Sequence, residues 1–443
     1  MNQNLNTELF DFIRNSPSVF HVIRNISKKL TEAGFIRLDE QTPWEIRPGG
    51  SYFTTRGGSS VIAFRVPGAD SSLSADSAGF PAVKSFHIAA SHSDSPTFKI
   101  KPDPEIESAG LVKLNIEKYG GMLTSTWYDR PLTVAGRVLF RSGQGIREHL
   151  VHIDRDLLLI PSLAIHMDRD ANTKGFGNVQ TDMQPVFADK ENAGSFMEMI
   201  SSECGCSPED ILGTDLFLVN RTLPSVWGAH EEFISAPKLD DLMCAFGTLA
   251  GFLHAEMPKD FIQMCCVFDN EEVGSSTRQG ADSTFLTECI ERIAECLGVG
   301  RNQLSSAIAS GMMISADNAH AAHPNHTDKA DPVLRPRMNQ GIVLKYHANQ
   351  KYTTDAVSEA LFTEICRRHD IPYQKFVNRS DMNGGSTLGN ISNTHVSIRT
   401  ADIGLPQLAM HSAYETAGTE DLAALVRLSE RFFSEALPEI QVK

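Results

Sequence analysis

The stretch FIQMCCVFDNEEVGS, residues 261–275, runs from a mostly apolar segment directly into a group of carboxylates. Short apolar runs of this kind alternate with longer segments of helical periodicity from Pro237 onward. That alternation is typical of βα units, and it predicts a mixed, mostly parallel sheet flanked by helices. The sequence therefore predicts an α/β fold for this part of the chain.

The segment between the two ends of the chain has a different pattern. Helical spacing of apolar residues follows Ser18, and a strand is predicted at 61–66, before a Gly- and Ser-rich surface loop at 67–82. From 97 to 229 short β-like runs with intervening turns predominate, at 111–116, 132–140 and 157–160. We predict one α/β domain formed by residues 1–96 and 231–443, interrupted by a β-rich inserted domain, 97–230.

Composition excludes several classes of protein. The chain has 443 residues, 41% of them hydrophobic, which is enough for more than one core. A formal net charge of −15 disfavours nucleic acid as a partner, and no apolar run reaches the roughly 18 residues of a membrane helix. The eight cysteines form no C-x-x-C pair, and the first residues lack the pattern of a signal peptide. These features predict a cytoplasmic protein with neither a membrane nor a nucleic-acid partner.

Polar clusters follow four of the predicted strands, and a fifth lies at the start of a predicted helix. In open α/β sheets the ligand crevice lies beyond the carboxyl ends of the strands, so these clusters are expected to converge. The candidate site residues in them are His92, Asp94, Asp240, Glu271, Glu272, Asp317 and His411.

The donor types in these clusters favour a pair of metal ions. Two imidazoles and three of these carboxylates, without a thiolate, would suit Zn, Co or Mn. One carboxylate shared by two ions would give each ion three ligands and leave room for a water, as in hydrolytic two-metal sites. One of the adjacent residues Glu271 and Glu272 would then be a ligand and the other a general base. Each motif alone is also typical of an ordinary surface turn or buried histidine, so the joint pattern carries the prediction of a metal-dependent hydrolase.

Five segments resemble, in the same order, the motifs of the aspartyl aminopeptidase family. They are ASHSDSP at 90–96, KLDD at 238–241, DNEEVGS at 269–275, SADNAHAAHPN at 315–325 and MHS at 410–412. The resemblance implies two divalent ions, zinc with cobalt or manganese as alternatives. By this resemblance, His92, Asp240 and Asp317 would hold one ion, and Asp240, Glu272 and His411 the other. Glu271 would be the general base, and the carboxylate of Asp94 would orient His92.

The resemblance also implies a substrate and an assembly. Lys345 and His320 match family residues near the first substrate side chain, which implies a preference for peptides with N-terminal Asp or Glu. Gly384 and Gly385 match a glycine segment whose backbone approaches the substrate. His166, in the inserted domain, resembles a residue that reaches a neighbouring subunit's site. The family forms homododecamers built from dimers, which implies self-association through the inserted domain.

Two departures and two alternatives accompany this resemblance. Asp241 stands where family members often have Asn, and Tyr414 lies in a tail that varies within the family. One alternative is a broad or neutral-residue aminopeptidase, or a related two-metal carboxypeptidase or deacylase. It is favoured if Lys345 and His320 do not face the site. The other is a non-catalytic binding protein, which would require a lost base or ligand, and all of these residues are present.

Overall fold

The computed structural model describes residues 2–68, 83–173, 175 and 177–440. Most of the surface loop predicted at 67–82 therefore lies outside the described residues. The α-helices are α1 (Asn2–Asn15), α2 (Val19–Glu32), α3 (Val179–Asp182), α4 (Ser195–Cys204), α5 (Leu239–His254), α6 (Phe285–Cys296), α7 (Arg301–Ser310), α8 (Ala356–Arg368), α9 (Leu388–Ser392) and α10 (Asp421–Ser434).

The strands are grouped into three sheets. They are β1 (Ile36–Arg37), β2 (Ser51–Arg56), β3 (Ser60–Arg65), β4 (Ser85–His92), β5 (Thr97–Ser108), β6 (Leu111–Tyr119), β7 (Leu132–Ser142), β8 (Gly145–His152), β9 (Val186–Asp189), β10 (Ile211–Asn220), β11 (Ser225–Trp227), β12 (Phe233–Ala236), β13 (Phe261–Phe268), β14 (Met312–Ala316), β15 (Ala319–His320), β16 (Ile342–Tyr346), β17 (Tyr373–Val377), β18 (Arg399–Gly404), β19 (Pro406–Leu408) and β20 (Glu415–Gly418).

The largest sheet has nine strands in the order β1-β2-β3-β13-β4-β14-β18-β16-β17. Its four adjacent central strands, β13, β4, β14 and β18, run parallel, whereas β3 and β16 join them antiparallel. Every residue of β13 is buried because helices cover both faces of the sheet. Cys265 and Val267 point to the core beneath α5 and α10, while Met264 and Cys266 point to the core beneath α6. The predicted mixed, mostly parallel α/β fold is confirmed.

The second sheet is antiparallel throughout. Its six strands, in the order β8-β7-β10-β5-β6-β9, enclose a core of their own with α4. The strand predicted at 157–160 is wrong, because this segment makes only two isolated bridges, Leu132 with Leu158 and Leu159 with Val186.

A third sheet, β11-β12-β20-β19-β15, combines segments from both sides of the predicted boundary at residue 230. Within it β11 pairs with β12, and β12 pairs with β20 near the end of the chain. The division into 1–96 with 231–443 and 97–230 stays a prediction.

Strand register explains why distant motifs meet. Phe268, the last residue of β13, pairs with His92, the last residue of β4, and Ser315 of β14 pairs with Ala90. The three strands are parallel and end at nearly the same level. The residues that follow them therefore emerge at a single edge of the sheet.

A buried histidine in β4 gives the fold a pH dependence. His87 is fully buried, stacks on Phe261 and Phe432, and contacts the Phe432 carbonyl through Nδ1 at 2.9 Å. Burial lowers its pKa to about 4, below the value of about 6.5 expected in the unfolded chain. As pH falls, the unfolded chain takes up the proton first. The contribution of His87 to the free energy of unfolding is therefore complete above about pH 6.5 and is lost as pH falls from about 6.5 to about 4.

We expect His87→Phe to remove this contribution. The free energy of unfolding, measured by urea denaturation at pH 7.5 and pH 5, should fall less in the variant than in the unaltered protein. The difference between the two falls should be about 2 kcal/mol. Substitution of the exposed His230 by Gln is the control and should leave the fall unchanged. An equal fall in His87→Phe would contradict the assignment.

Candidate active site

The residues predicted as metal ligands lie together at the edge of the large sheet. His92 ends β4, Asp317 follows β14, and Glu272 lies in a 3-10 turn after β13. Asp240 lies at the start of α5, and His411 follows β19. Together with Asp241 and Glu271, these residues form three overlapping groups. Within each group, the potential ligand atoms lie within 4.8 Å of one another.

The first group comprises His92, Asp240, Asp241 and Asp317, all of them buried. The Nε2 atom of His92 lies 3.5 Å from Oδ1 of Asp240 and 4.0 Å from Oδ2 of Asp241. This group contains the three residues predicted for the first ion. It also contains Asp241, which the sequence analysis considered only as a departure from the family pattern.

The second group comprises Asp240, Glu272 and His411. The Nε2 atom of His411 lies 3.7 Å from Oδ2 of Asp240 and 3.3 Å from Oε2 of Glu272. Asp240 therefore presents Oδ1 to the first group and Oδ2 to the second. That is the arrangement expected of a carboxylate that bridges two ions.

The carboxylates in these groups fit a divalent cation on physical grounds. Oδ1 of Asp240, Oδ1 of Asp241 and Oε1 of Glu272 are buried, and none has a hydrogen-bond partner among the described residues. Buried carboxylates without partners are costly unless they are protonated or bind a cation. Burial, followed by the charge of Asp240, holds the pKa of Glu272 well above its usual value. The donor set of oxygen and imidazole nitrogen suits zinc, cobalt or manganese.

Asp94 connects His92 to the turn that carries the two glutamates. Its Oδ1 lies 3.3 Å from Nδ1 of His92, and its backbone carbonyl lies 3.1 Å from the same nitrogen. The carboxylate also accepts the backbone N–H groups of Glu271 and Glu272, each at 3.1 Å. Asp94 therefore directs Nε2 of His92 toward the first group and fixes the turn at the same time.

Two further residues hold the site together and were not predicted from the sequence. The hydroxyl of Tyr119, in β6 of the second sheet, donates to Asp94 at 2.7 Å. Glu415, in β20, accepts the backbone N–H of Asp240 at 2.9 Å and that of His411 at 2.7 Å. Neither residue lies in a motif with an identifiable spacing, so no sequence signal pointed to them.

Four non-glycine residues that border the site have left-handed backbone. They are Lys238 (φ 60°), Asn270 (φ 64°), Ala409 (φ 56°) and His411 (φ 64°). Such conformations cost about 1 kcal/mol or more for residues with a Cβ atom. Asp240 lies at the N-terminal end of α5, as predicted, but Asp240 (φ −84°, ψ 108°) and Asp241 (φ −118°, ψ 21°) are not helical, so the regular part of α5 begins after Asp241. These turns point the ligand side chains inward where regular helix or strand would not.

Glu271 lies beside the two ligand groups and is available for proton transfer. It lines the same cavity as His92, Asp317 and His411. Burial, followed by the charge of Asp317, raises its pKa to about 8, although His92 opposes the shift. Glu271 also forms the third group with His92 and Glu272, whereas Glu272 is the one of the pair that approaches His411, at 3.3 Å.

The residues predicted for the substrate lie at different distances from this centre. A cavity of about 190 Å³ contains the ligand candidates together with His320, Lys345 and Gly385. Lys345 is buried and donates to the backbone carbonyls of Asp317 at 2.6 Å and Asn318 at 3.2 Å. Burial, followed by the positive charge of Lys345, lowers the pKa of His320.

Two other predicted residues lie outside this cavity. Gly384 lines the neighbouring cavity, where a Cβ atom on it would lie 2.2 Å from Nδ2 of Asn378 and would displace that side chain. His166 is exposed in a turn between β8 and β9 and does not line the cavity of the ligand candidates.

The fold and the site define a metal-dependent hydrolase. Residues 12–433 match the family model described as aminopeptidase I zinc metalloprotease (M18). The chain belongs to the M18 family of zinc metallo-aminopeptidases, which hydrolyse peptide bonds.

Proteins with related sequences match this chain over almost its whole length. A probable M18 family aminopeptidase 2 of Clostridium acetobutylicum is 45% identical, and the match covers 96% of this chain and 98% of the relative. An aspartyl aminopeptidase of Dictyostelium discoideum is 36% identical, with 97% of this chain and 96% of the relative covered.

Solved structures also resemble this chain over almost its whole length. The chain resembles Ape4 in a cryo-EM structure of the Ape4 and Nbr1 complex with a TM-score of 0.91 and 33% identity, over 98% of this chain and 86% of that one. It also resembles a subunit of the Saccharomyces cerevisiae mApe1 dodecamer, with a TM-score of 0.83 and 27% identity, over 96% and 95% of the two chains. No helix among the described residues combines the length and apolarity that a membrane crossing requires.

Proposed function

We propose that this metallo-aminopeptidase removes N-terminal residues from peptides, with a preference for Asp and Glu, and that it uses two divalent metal ions. His92, Asp240 and Asp317 would hold one ion, and Asp240, Glu272 and His411 the other. The observation that carries the proposal is the position of Asp240, whose two carboxylate oxygens face different groups of ligands. Zinc is the proposed metal because the family is described as zinc metalloproteases, and cobalt or manganese would suit the same donors.

When bound, the ions supply Lewis acidity that polarises the scissile carbonyl and lowers the pKa of a water molecule. Glu271 accepts the proton of the attacking water and passes it to the leaving amine nitrogen. Asp94 holds His92 in place relative to the turn that carries Glu271 and Glu272, because it contacts both. His92, Asp240 and Asp317 are buried away from bulk water, which strengthens each of these electrostatic interactions.

The preference for acidic residues rests on Lys345 and His320, which line the cavity of the ligand candidates. Lys345 has three donors, and two of them are taken by the carbonyls of Asp317 and Asn318. The ammonium also lies 3.8 Å from Oδ1 of Asp317, so a substrate carboxylate would share this cation with a proposed metal ligand. The Dictyostelium discoideum relative is named for activity on aspartyl residues, which supports the same preference.

Self-association as a homododecamer built from dimers is the proposed assembly. The turn that carries His166 exposes Leu163, Ile165 and Met167 by 59%, 47% and 75%. Apolar side chains grouped at an exposed tip are typical of a surface that a neighbouring subunit covers. The mApe1 relative is described as a dodecamer. A cytoplasmic location stays a prediction, supported by eight cysteines that are all free.

Hydrolysis of peptides that begin with Asp, Glu, Leu, Ala or Lys tests the proposal. The purified protein is assayed after chelation and after addition of zinc, cobalt or manganese. We expect chelation to abolish release and added metal to restore it, fastest for Asp or Glu. Release led by Leu would keep the metal chemistry and favour the broad aminopeptidase. No release with any metal would favour the non-catalytic alternative.

Lys345→Met is expected to reduce kcat/KM for Asp and Glu peptides about tenfold or more relative to Leu peptides. The reason is that a hydrogen bond to a charged group contributes roughly 1.5–3 kcal/mol. Metal content is measured in parallel, since Lys345 also contacts the backbone beside Asp317. Lys84→Met, at an exposed ion pair with Asp260, is the matched control. An equal reduction for acidic and neutral peptides would remove the basis for the acidic preference.

A further inference from the structure

A second cavity adjoins the cavity of the ligand candidates. It has a volume of about 300 Å³, and its wall shares His320, Phe376 and Gly385 with the first cavity. A peptide whose N-terminal residue occupies the first cavity can therefore continue past His320 into the second.

The two cavities have opposite charge. Asp240, Glu271, Glu272 and Asp317 line the first cavity, whereas no carboxylate is among the residues described as lining the second. Its titratable lining is His320, His323, His326, Lys329 and Arg379. Lys329 and Arg379 have acidic neighbours in Asp328 and Asp381, but these two carboxylates lie outside the lining. The chain as a whole has a net charge of −15, so this lining is opposite in sign to the chain.

A buried donor without an acceptor gives an independent indication of a ligand. Gln407, which lines the second cavity, is only 1% exposed. Its Oε1 accepts from Nδ2 of Asn318 at 3.0 Å, but its Nε2 has no acceptor among the described residues. Buried amide groups are normally satisfied, so this N–H donor points to an oxygen acceptor supplied from outside the chain.

We propose that the second cavity binds a carboxylate on the leaving-group side of the peptide. The inference rests on the proposed function and specifies its substrates further. Lys345 and Tyr352 line only the first cavity, so the first residue's side chain is accommodated there and the following residue lies beyond His320. The amide donor of Gln407, with the cations Lys329 and Arg379, matches a carboxylate by hydrogen bonding and by charge.

Such a carboxylate has two possible sources, the C-terminus of a dipeptide and an acidic second side chain. The metal-loaded protein is assayed on X-Ala, X-Ala-amide, X-Glu-amide and X-Gln-amide, where X is the N-terminal residue that it releases fastest. We expect kcat/KM to be about tenfold higher for X-Glu-amide than for X-Gln-amide if the side chain is the source. The same advantage of X-Ala over X-Ala-amide would identify the C-terminus. Equal rates within both pairs would overturn the inference.

Variants in the second cavity separate binding there from a general effect on the site. Lys329→Gln and Arg379→Gln should each reduce the advantage of the carboxylate substrate about fivefold. Gln407→Glu keeps the acceptor for Asn318 but replaces the free donor by a negative charge, so it should reverse the preference. Lys29→Gln, at an exposed position of α2, is the matched control and should leave the ratio unchanged.

The same variants are tested on peptides that differ only in the first residue. A loss that depends on the first residue, rather than on the second or on the C-terminus, would overturn the inference while the aminopeptidase activity stands. Absence of hydrolysis of every peptide by the unaltered metal-loaded protein would instead refute the proposed function, and the inference with it.

Discussion

Glu271→Gln is expected to lower kcat by about 10²- to 10⁴-fold without loss of metal. Glutamine has nearly the same shape as glutamate but cannot accept the proton of the attacking water. Glu271 lies in the cavity beside the ligand groups, whereas its neighbour Glu272 is the residue that approaches His411 at 3.3 Å. Steady-state kinetics and metal analysis of the same preparation provide the two measurements.

Glu272→Gln is the matched control, since it makes the same chemical change one residue further along the turn. It should lose metal from the second group as well as activity. If Glu271→Gln lost metal and Glu272→Gln retained it, the roles of the two residues would be exchanged. Unchanged turnover in Glu271→Gln would refute its role as the base.

Asp240→Asn is expected to deplete both ions and to reduce activity by on the order of 10³-fold or more. The loss of Lewis acid stabilisation amounts to several kcal/mol, and each 1.36 kcal/mol corresponds to a tenfold change in rate. Asp240 is the residue whose two oxygens face different ligand groups, with Oδ1 3.5 Å from His92 and Oδ2 3.7 Å from His411. Metal content per subunit, measured after dialysis, distinguishes loss of two ions from loss of one.

Substitutions at two neighbouring residues serve as controls for Asp240→Asn. Asp317→Asn should deplete only the first ion, because Asp317 belongs to the first group alone. Asp241→Asn should retain both, because Asp241 is not among the proposed ligands and accepts the backbone N–H of His92 at 3.2 Å, a bond that an amide oxygen also makes. Full metal content in Asp240→Asn would exclude a bridging role.

The sequence was sufficient for the fold and for the residues that converge at its edge. Carboxyl ends of parallel strands lie at one edge of a sheet, so the sequence predicts that the motifs after β4, β13 and β14 meet. The family of the chain followed from the same motifs. The strand predicted at 157–160 failed because its apolar residues are accommodated by isolated bridges rather than by a continuous ladder.

Contacts between segments that are far apart in the sequence were beyond prediction. Tyr119 reaches Asp94 only because the second sheet packs against the first, and a tyrosine in a strand has no periodic signal for such a role. The hydrogen bonds from Lys345 to the carbonyls of Asp317 and Asn318 likewise depend on how the strands of the large sheet are arranged. The unpaired amide of Gln407 was also invisible, because the sequence does not reveal which donors lack acceptors.

The wide separation of the ligand candidates along the chain has a consequence for biosynthesis. His92 is synthesised long before His411, and Glu415 in β20 accepts the backbone N–H of His411, whose side chain lies 3.3 Å from Glu272. The proposed pair of metal sites would therefore stay incomplete until the segment that carries His411 has been synthesised and has folded against the turn that carries Glu272. Because the donors suit several divalent ions, the ions present at that moment would influence which metal the chain acquires.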